Sequence, residues 1–480
     1  MTTLVLEDTS QWAFDFNQYD TVWKLVINLC LMLIFLLIGN ALRRLIPFLR
    51  KGNVPSALIG GLLLLGFHEL LKLGGIELID KRIMQIITYH ALGIGFVAMS
   101  LKIAKKDKST SFFKAVQNGA ITGGTYMLQA ITGILVSLIF FWIGGTLFYD
   151  AGVLLPLGFG QGPGNALTWD INFTTDPNID FAGNGSVGLS IASIGFIVAS
   201  VVGVIYINIF KHKKEITILN SENRVRDVSE FEEENEIEDS DSVDKSSLQI
   251  GLVLLSYALA FLIMLFFKKI SDWTGIKLFN DVAWGFNFIW GVIVANIIKL
   301  ILKLLTKGKV MKKRYINNYQ MDRISGFAFD AMIIAGVAAI DIDVLKDYAW
   351  FIVAVSLAGT IVTIFYVRLM SKIVFKDYQH EAFLTNFGTL TGTASNGMIF
   401  LREIDPNYET PMNNIFIVSQ LPAMLFVAPL LLLLSKSAES INGCYLALGI
   451  FGGLFILYTL FLILSAKGIF SKKKKVEEEK

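Results

Sequence analysis

Eleven long apolar segments constrain this sequence more than any other feature. They cover residues 22–42, 54–73, 83–102, 114–143, 186–209, 248–267, 281–302, 323–341, 348–370, 411–434 and 442–466. Because about 20 apolar residues in a helix span the roughly 30 Å hydrocarbon core of a bilayer, each segment is predicted to be a transmembrane helix. Only 17% of the residues are charged, which is typical of a polytopic membrane protein rather than a soluble one.

Lysine and arginine are concentrated in alternate loops between these segments. The loops around residues 43–51, 102–114, 211–214, 303–323, 368–376 and 472–475 are basic, whereas residues 170–185 contain neither lysine nor arginine. Basic loops stay in the cytoplasm, so the N-terminus is predicted to lie outside and the C-terminus inside. The alternation holds only if residues 149–169 and 381–402 enter and leave the membrane on the same side.

Those two exceptional segments contain glycine and polar residues at membrane depth. The first includes GFGQGPGNALTW (residues 158–169) and the second includes GTLTGTASNGMIF (residues 388–400). Non-helical backbone is tolerated in a membrane only where it is buried in protein or lines a wet cavity. Residues 149–169 and 381–402 are therefore predicted to be re-entrant hairpins. Their glycines are similarly spaced, with Asn165 and Asn396 out of step by one residue.

The segments form two similar halves. Residues 22–209 and 248–434 each contain five predicted spans with a hairpin between the fourth and the fifth, and FVAMSLK at 96–102 resembles VAAIDID at 337–343. An odd number of spans inverts the second half. The predicted fold is an all-α polytopic membrane protein with two inverted five-helix repeats. Paired broken segments in inverted repeats are typical of secondary transporters.

Three further segments flank these repeats. Residues 1–21 are acidic where a signal peptide would be basic, so they are predicted to be a retained extracytoplasmic segment. Residues 210–247 are rich in acidic residues and are predicted to be a disordered cytoplasmic linker. Residues 435–480 are predicted to form one extra transmembrane helix and a basic cytoplasmic tail.

The polar and glycine residues at the hairpin tips are the candidate solute-binding residues, because they offer neutral donors, acceptors and bare backbone. They are Gln161, Gly162, Gly164, Asn165, Thr391, Gly392, Thr393, Ser395 and Asn396. The candidate cation-binding residues are Asp330, Gly160 and Thr389. The alternatives are that the glycines only allow close helix packing, and that Asp330 pairs with Arg323 or faces water.

The chain resembles the glutamate:sodium symporter family. The resemblance rests on NVPSALIGGL at 53–62, GFVAMSLK at 95–102 and the two hairpin sequences, and it covers roughly residues 20 to 435. It implies Na⁺-coupled glutamate uptake by a homodimer with an elevator-like motion. The chain has GQGPG at 160–164 where family members often have a run like GGHGT, which leaves the solute open.

The sequence therefore predicts a sodium-coupled symporter of a bacterial inner membrane that imports glutamate or a related amino or dicarboxylic acid. Na⁺ is the coupling ion, and no cofactor and no other metal are expected. A cation/proton exchanger or a channel with the same fold is the alternative. An enzyme is disfavoured because no cluster of acid, base or metal-binding residues is evident, and a net charge of +2 gives no reason to expect nucleic acid.

Overall fold

The computed structural model describes residues 23–52, 54–103, 112–145, 147–213, 244–311, 315–406 and 408–467. Three parts of the chain lie outside these described residues, and what the sequence predicts for them stays a prediction. They are the extracytoplasmic segment, most of the acidic linker and the end of the basic tail.

All regular elements in the described residues are helices. Two of them are short 3₁₀ turns, at Ala151–Val153 and Lys376–Tyr378. The α-helices are α1 (Lys24–Leu45), α2 (Pro47–Lys51), α3 (Ser56–Lys72), α4 (Lys81–Leu101), α5 (Phe112–Gly144), α6 (Leu154–Gln161), α7 (Pro163–Thr175), α8 (Ser186–His212), α9 (Lys245–Thr274), α10 (Lys277–Gly285), α11 (Asn287–Lys307), α12 (Asn318–Ala338), α13 (Ile342–Val374), α14 (Gln379–Thr391), α15 (Ala394–Ile404), α16 (Met412–Glu439) and α17 (Ile441–Ala466).

Nine helices in the described part of the chain are long and apolar enough to cross a membrane: α1, α4, α5, α8, α9, α11, α13, α16 and α17. This confirms the prediction of an all-helical, multi-pass membrane protein. The other two predicted spans correspond to α3, which has 17 residues, and α12, which contains Asp322, Arg323 and Asp330. Residues 331–338 of α12 are all buried. Neighbouring helices rather than lipid surround that stretch, so membrane crossing by α3 and α12 stays a prediction.

The main helix contacts divide the molecule into two bundles. The companion bundle consists of α1–α4 and α9–α12, in which α4 packs along α12, α3 packs on α1 and α12, and α11 packs on α4 and α9. The hairpin bundle consists of α5–α8 and α13–α17, in which α5 packs on α13, α16 and α17. The two bundles meet mainly where α7 lies against α4 and α12.

Glycines explain the central place of α5 in the hairpin bundle. A Cβ atom on Gly119 would lie 2.8 Å from the backbone nitrogen of Ala423 in α16. On the same helix, Gly123 lies against Phe426 of α16, and Gly124 lies against Tyr366 of α13. Small residues let helices in a membrane approach closely, so these positions allow α5 to pack tightly against α13 and α16.

Candidate functional site

The first polar segment is a broken helix. Helix α6 ends at Gln161, α7 begins at Pro163, and Gly162 between them has φ +79° and ψ −171°. That combination is essentially restricted to glycine. Proline is favoured at the first position of a helix, where its missing N–H is not needed. The Gly162–Pro163 pair therefore ends one helix and begins the next, and α7 continues six residues beyond the predicted hairpin end at 169.

The second polar segment is broken over two residues rather than one. Helix α14 ends at Thr391 and α15 begins at Ala394. The structure explains why the two asparagines are one residue out of step in the sequence. Gly162 alone ends α6 and precedes α7, whereas two residues separate α14 from α15. Asn165 and Asn396 are each the third residue of the helix after the break.

The two breaks are buried and lie in contact with each other. A Cβ atom built on Gly162 would lie 3.5 Å from Thr393 Cγ2 and 3.8 Å from the carbonyl oxygen of Gly392. Met332 of α12 lies on the same side, 3.4 Å from that position. The N-terminal ends of α7 and α15 and the C-terminal ends of α6 and α14 therefore converge. Such ends carry free backbone N–H and C=O groups and opposite partial charges.

We call the place where the breaks at Gly162 and at Gly392 and Thr393 meet the junction. Several buried side-chain atoms there have no hydrogen-bond partner among the described residues. Asn165 is 0% exposed, and both its Nδ2 and its Oδ1 are unpartnered. Gln161 Oε1 and Thr393 Oγ1 are also buried and unpartnered. Most buried polar atoms in proteins are paired, and leaving one unpaired costs about 1–3 kcal/mol. Their concentration where two helices break marks this junction as the candidate binding site.

A cavity of about 500 Å³ leads to the junction between the two bundles. Five of the residues singled out in the sequence line it: Gly160, Gln161, Thr389, Thr393 and Ser395. Its other lining residues include Lys102, Lys299, Asp322 and Arg402. The first three lie in or beside the basic loops at 102–114 and 303–323. Lys102 Nζ donates to Asp322 Oδ1 at 2.6 Å. The cavity thus joins the side of the basic loops to the two breaks.

The other predicted solute-binding residues lie outside the cavity lining. They are Gly162, Gly164, Asn165, Thr391, Gly392 and Asn396. Gly164 packs against Leu92 of α4, and the Thr391 hydroxyl donates to the carbonyl oxygen of Phe387 at 2.7 Å. The Thr389 hydroxyl similarly donates to Thr385 O at 2.7 Å. These two hydroxyl groups are therefore engaged within α14, although their oxygens keep lone pairs.

Asp330, the predicted cation ligand, lies on α12. It does not line the cavity, and the charge that acts on its carboxylate is that of Arg43 on α1. The alternative partner, Arg323, donates to Tyr319 Oη at 2.8 Å instead. A cation role for Asp330 stays a prediction.

Two buried residues of α7, Trp169 and Asp170, were not among the site residues predicted from the sequence. Trp169 is 2% exposed, and its Nε1 has no hydrogen-bond partner in the part of the chain that the structure describes. Asp170 is fully buried, and its carboxylate accepts from the N–H groups of Gly185 at 2.9 Å and Gly188 at 2.7 Å. These bonds attach α7 to the start of α8. The only sequence signal for Trp169 was its place four residues after Asn165, the spacing of one helix face.

The fold and this junction define an all-helical, multi-pass membrane protein in which two broken helices meet at the end of an internal cavity. Compared with models of known protein families and with curated protein sequences, the chain matches none of them.

Proposed function

We propose that this protein is a cation-coupled secondary transporter that imports glutamate or a related amino or dicarboxylic acid together with Na⁺. The observation that carries the proposal is the contact between the breaks at Gly162 and Gly392, with the unpartnered amide of Asn165 beside it. Broken helices that meet in the interior are how many secondary transporters build their solute and ion sites. The resemblance to the glutamate:sodium symporter family supports the same function and further implies a homodimer in a bacterial cytoplasmic membrane.

The helix contacts support two inverted repeats. Helix α3 packs on α12, and the corresponding α11 packs on α4. In the same way α5 packs on α16, and α13 packs on α8. These are the reciprocal pairs that arise when α1, α3, α4, α5 and α8 correspond to α9, α11, α12, α13 and α16. In this scheme the two broken segments are re-entrant hairpins that enter from opposite sides, and α17 is an addition.

The chemistry of the junction suits an anionic solute and a small cation. The N-terminal ends of α7 and α15 attract a carboxylate, while carbonyl groups at the C-terminal ends of α6 and α14 attract Na⁺. Gln161 Oε1 and Thr393 Oγ1 add neutral oxygens. Towards the other end, Lys102, Lys299 and Arg402 outnumber Asp322 among the lining residues, which favours an anion in the cavity.

The position of the cavity implies one state of an alternating-access cycle. The cavity connects the junction to the basic-loop side, the proposed cytoplasmic side, while α7 lies against α4 and α12 at the contact between the bundles. We therefore assign this conformation to the inward-open state. Import requires a second state in which the two bundles part on the opposite side.

The test is uptake of labelled glutamate into proteoliposomes that contain the purified protein, under an inward Na⁺ gradient and with K⁺ as the control. Unlabelled aspartate, glutamine, citrate or malate would identify the solute class by competition. Asn165→Ala should lower uptake at least tenfold, because its amide lies at the junction. Asn172→Ala, on the same helix but half-buried, is the matched control and should transport normally.

Two results would contradict this proposal. Equal uptake by the Asn165→Ala and Asn172→Ala variants would remove the junction as the site. Flux of labelled Na⁺ without accumulation of any of the organic acids, with reconstitution verified, would indicate the exchanger or channel instead.

A further inference from the structure

We propose that Trp169 and Asn165 form a carboxylate-binding subsite on α7 that the solute reaches from the side opposite the cavity. The inference rests on the proposed transport function and adds to it a residue, Trp169, and a direction of access.

The two side chains lie on one face of α7. They are four residues apart, which in an α-helix corresponds to a rise of about 6 Å and to neighbouring positions on the same face. Both are buried, Asn165 at 0% and Trp169 at 2% exposure. Within the described ranges, both carry polar atoms without a hydrogen-bond partner, the indole Nε1 of Trp169 and the amide Nδ2 and Oδ1 of Asn165. Two orphaned polar groups therefore follow one another along the helix from the break outward.

The hydrogen-bond donors on this face of α7 favour an acceptor that carries negative charge. An indole N–H can only donate, and the Asn165 amide nitrogen is a second donor. Both lie on a helix whose N-terminal end, at Gly162, carries a partial positive charge. The one charged residue of α7, Asp170, is already held by N–H groups of α8. A carboxylate, with two acceptor oxygens, matches these donors.

The subsite is covered in this conformation. Neither Trp169 nor Asn165 lines the cavity. The Trp169 ring packs on Phe286, between α10 and α11, with the ring centroids 5.3 Å apart, and a Cβ on Gly285 would lie 3.4 Å from Nε1. Phe286 belongs to the companion bundle and Trp169 to the hairpin bundle. Separation of the bundles at this contact would uncover the indole N–H to a solute that arrives from the proposed outer side.

The experiment compares Trp169→Phe with Trp290→Phe in right-side-out and inside-out membrane vesicles, with labelled glutamate as the probe. Phenylalanine keeps an aromatic ring and removes the N–H. Trp290 is the matched control, because its Nε1 already donates to the carbonyl oxygen of Val282 at 3.2 Å. For Trp169→Phe we expect the KM to rise by about tenfold or more in right-side-out vesicles, because a rise of tenfold is the lower limit for the loss of one hydrogen bond to a charged group. We expect no change in inside-out vesicles, and no change for Trp290→Phe on either side.

The failures of the two proposals are distinguishable. If the unaltered protein accumulates no glutamate, the proposed function is wrong. If it does, but Trp169→Phe behaves like Trp290→Phe, or its KM rises equally from both sides, the outer subsite is refuted and transport stands.

A second measurement tests the subsite without the Trp169→Phe variant, in case that variant does not fold. The unaltered protein is labelled with 5-fluorotryptophan in nanodiscs, where both faces are accessible, and the Trp169 ¹⁹F signal is assigned by replacing the other tryptophans in turn. Saturating glutamate with Na⁺ should shift the Trp169 signal and leave the Trp290 signal in place. An unmoved Trp169 signal would overturn the subsite.

Discussion

Replacing Gly162 with alanine tests whether the break between α6 and α7 is required for transport. Gly162 has φ +79° and ψ −171°, a conformation that costs a residue with a Cβ about 1–3 kcal/mol. The added methyl group would meet Met332 Cε at 3.4 Å and Thr393 Cγ2 at 3.5 Å, which are ordinary contacts. The penalty is therefore conformational rather than steric. A factor of ten corresponds to about 1.4 kcal/mol. If the whole conformational penalty falls on the transport-competent state, kcat/KM for glutamate should fall roughly 5- to 140-fold.

The assay is the initial rate of Na⁺-driven glutamate uptake at low glutamate, together with the melting temperature of the purified protein. Gly453→Ala is the matched control, because a Cβ there meets nothing within 4 Å and alanine is favoured over glycine inside a helix. Gly392→Ala tests the second break by contact, because an added methyl would press on the Asn396 amide. Equal kcat/KM for Gly162→Ala and Gly453→Ala would show that transport does not require the glycine conformation at the break.

Three other variants probe the charged residues. Asp170→Ala removes two hydrogen bonds from the start of α8 and should lower the free energy of unfolding by about 3 kcal/mol or more; an unchanged melting temperature would contradict this. A hydrogen bond from Lys277 holds the pKa of Asp176 below its ordinary value. The resulting stabilisation is present above a pH of about 4 and is lost as the pH falls through the lowered pKa. The difference in melting temperature between the unaltered protein and Lys277→Met should therefore disappear in acid, and a difference that persists there would argue against the pair. If Asp330 binds the coupling ion, Asp330→Asn should raise the Na⁺ concentration for half-maximal uptake at least fivefold, and an unchanged value would rule that role out.

The positions of the two helix breaks were predictable because their causes are local. Gly162, Pro163 and Gly392 interrupt apolar stretches in runs that also contain polar residues, and such combined runs weaken a helix. A single glycine or proline does not suffice, because Gly119 stays inside α5 and Pro422 stays inside α16. The one-residue mismatch between Asn165 and Asn396 could not be interpreted in the same way. It disappears only when each asparagine is counted from the start of its own helix, and that start depends on how many residues each break contains.

The neighbours of the charged and polar residues were not predictable. Nothing near Asp330 in the sequence points to Arg43, which belongs to the other predicted repeat and whose charge acts on the Asp330 carboxylate. In the sequence, nothing distinguishes Trp169 from other aromatic residues of a membrane protein. In the structure, its indole nitrogen is buried and has no hydrogen-bond partner among the described residues. Both facts depend on how α1 packs with α12 and how α7 packs on the companion bundle.

Hydropathy and helix-breaking runs act over a few neighbouring positions, so they are enough to identify a helical membrane protein with two interrupted segments. The contact between the breaks at Gly162 and Gly392, the cavity that reaches the adjoining Gln161 and Thr393 from one side, and the polar atoms there that stay unpaired within the described residues are visible only in the folded molecule. Those properties arise from contacts between residues far apart in the chain, and the packing of two bundles brings those residues together.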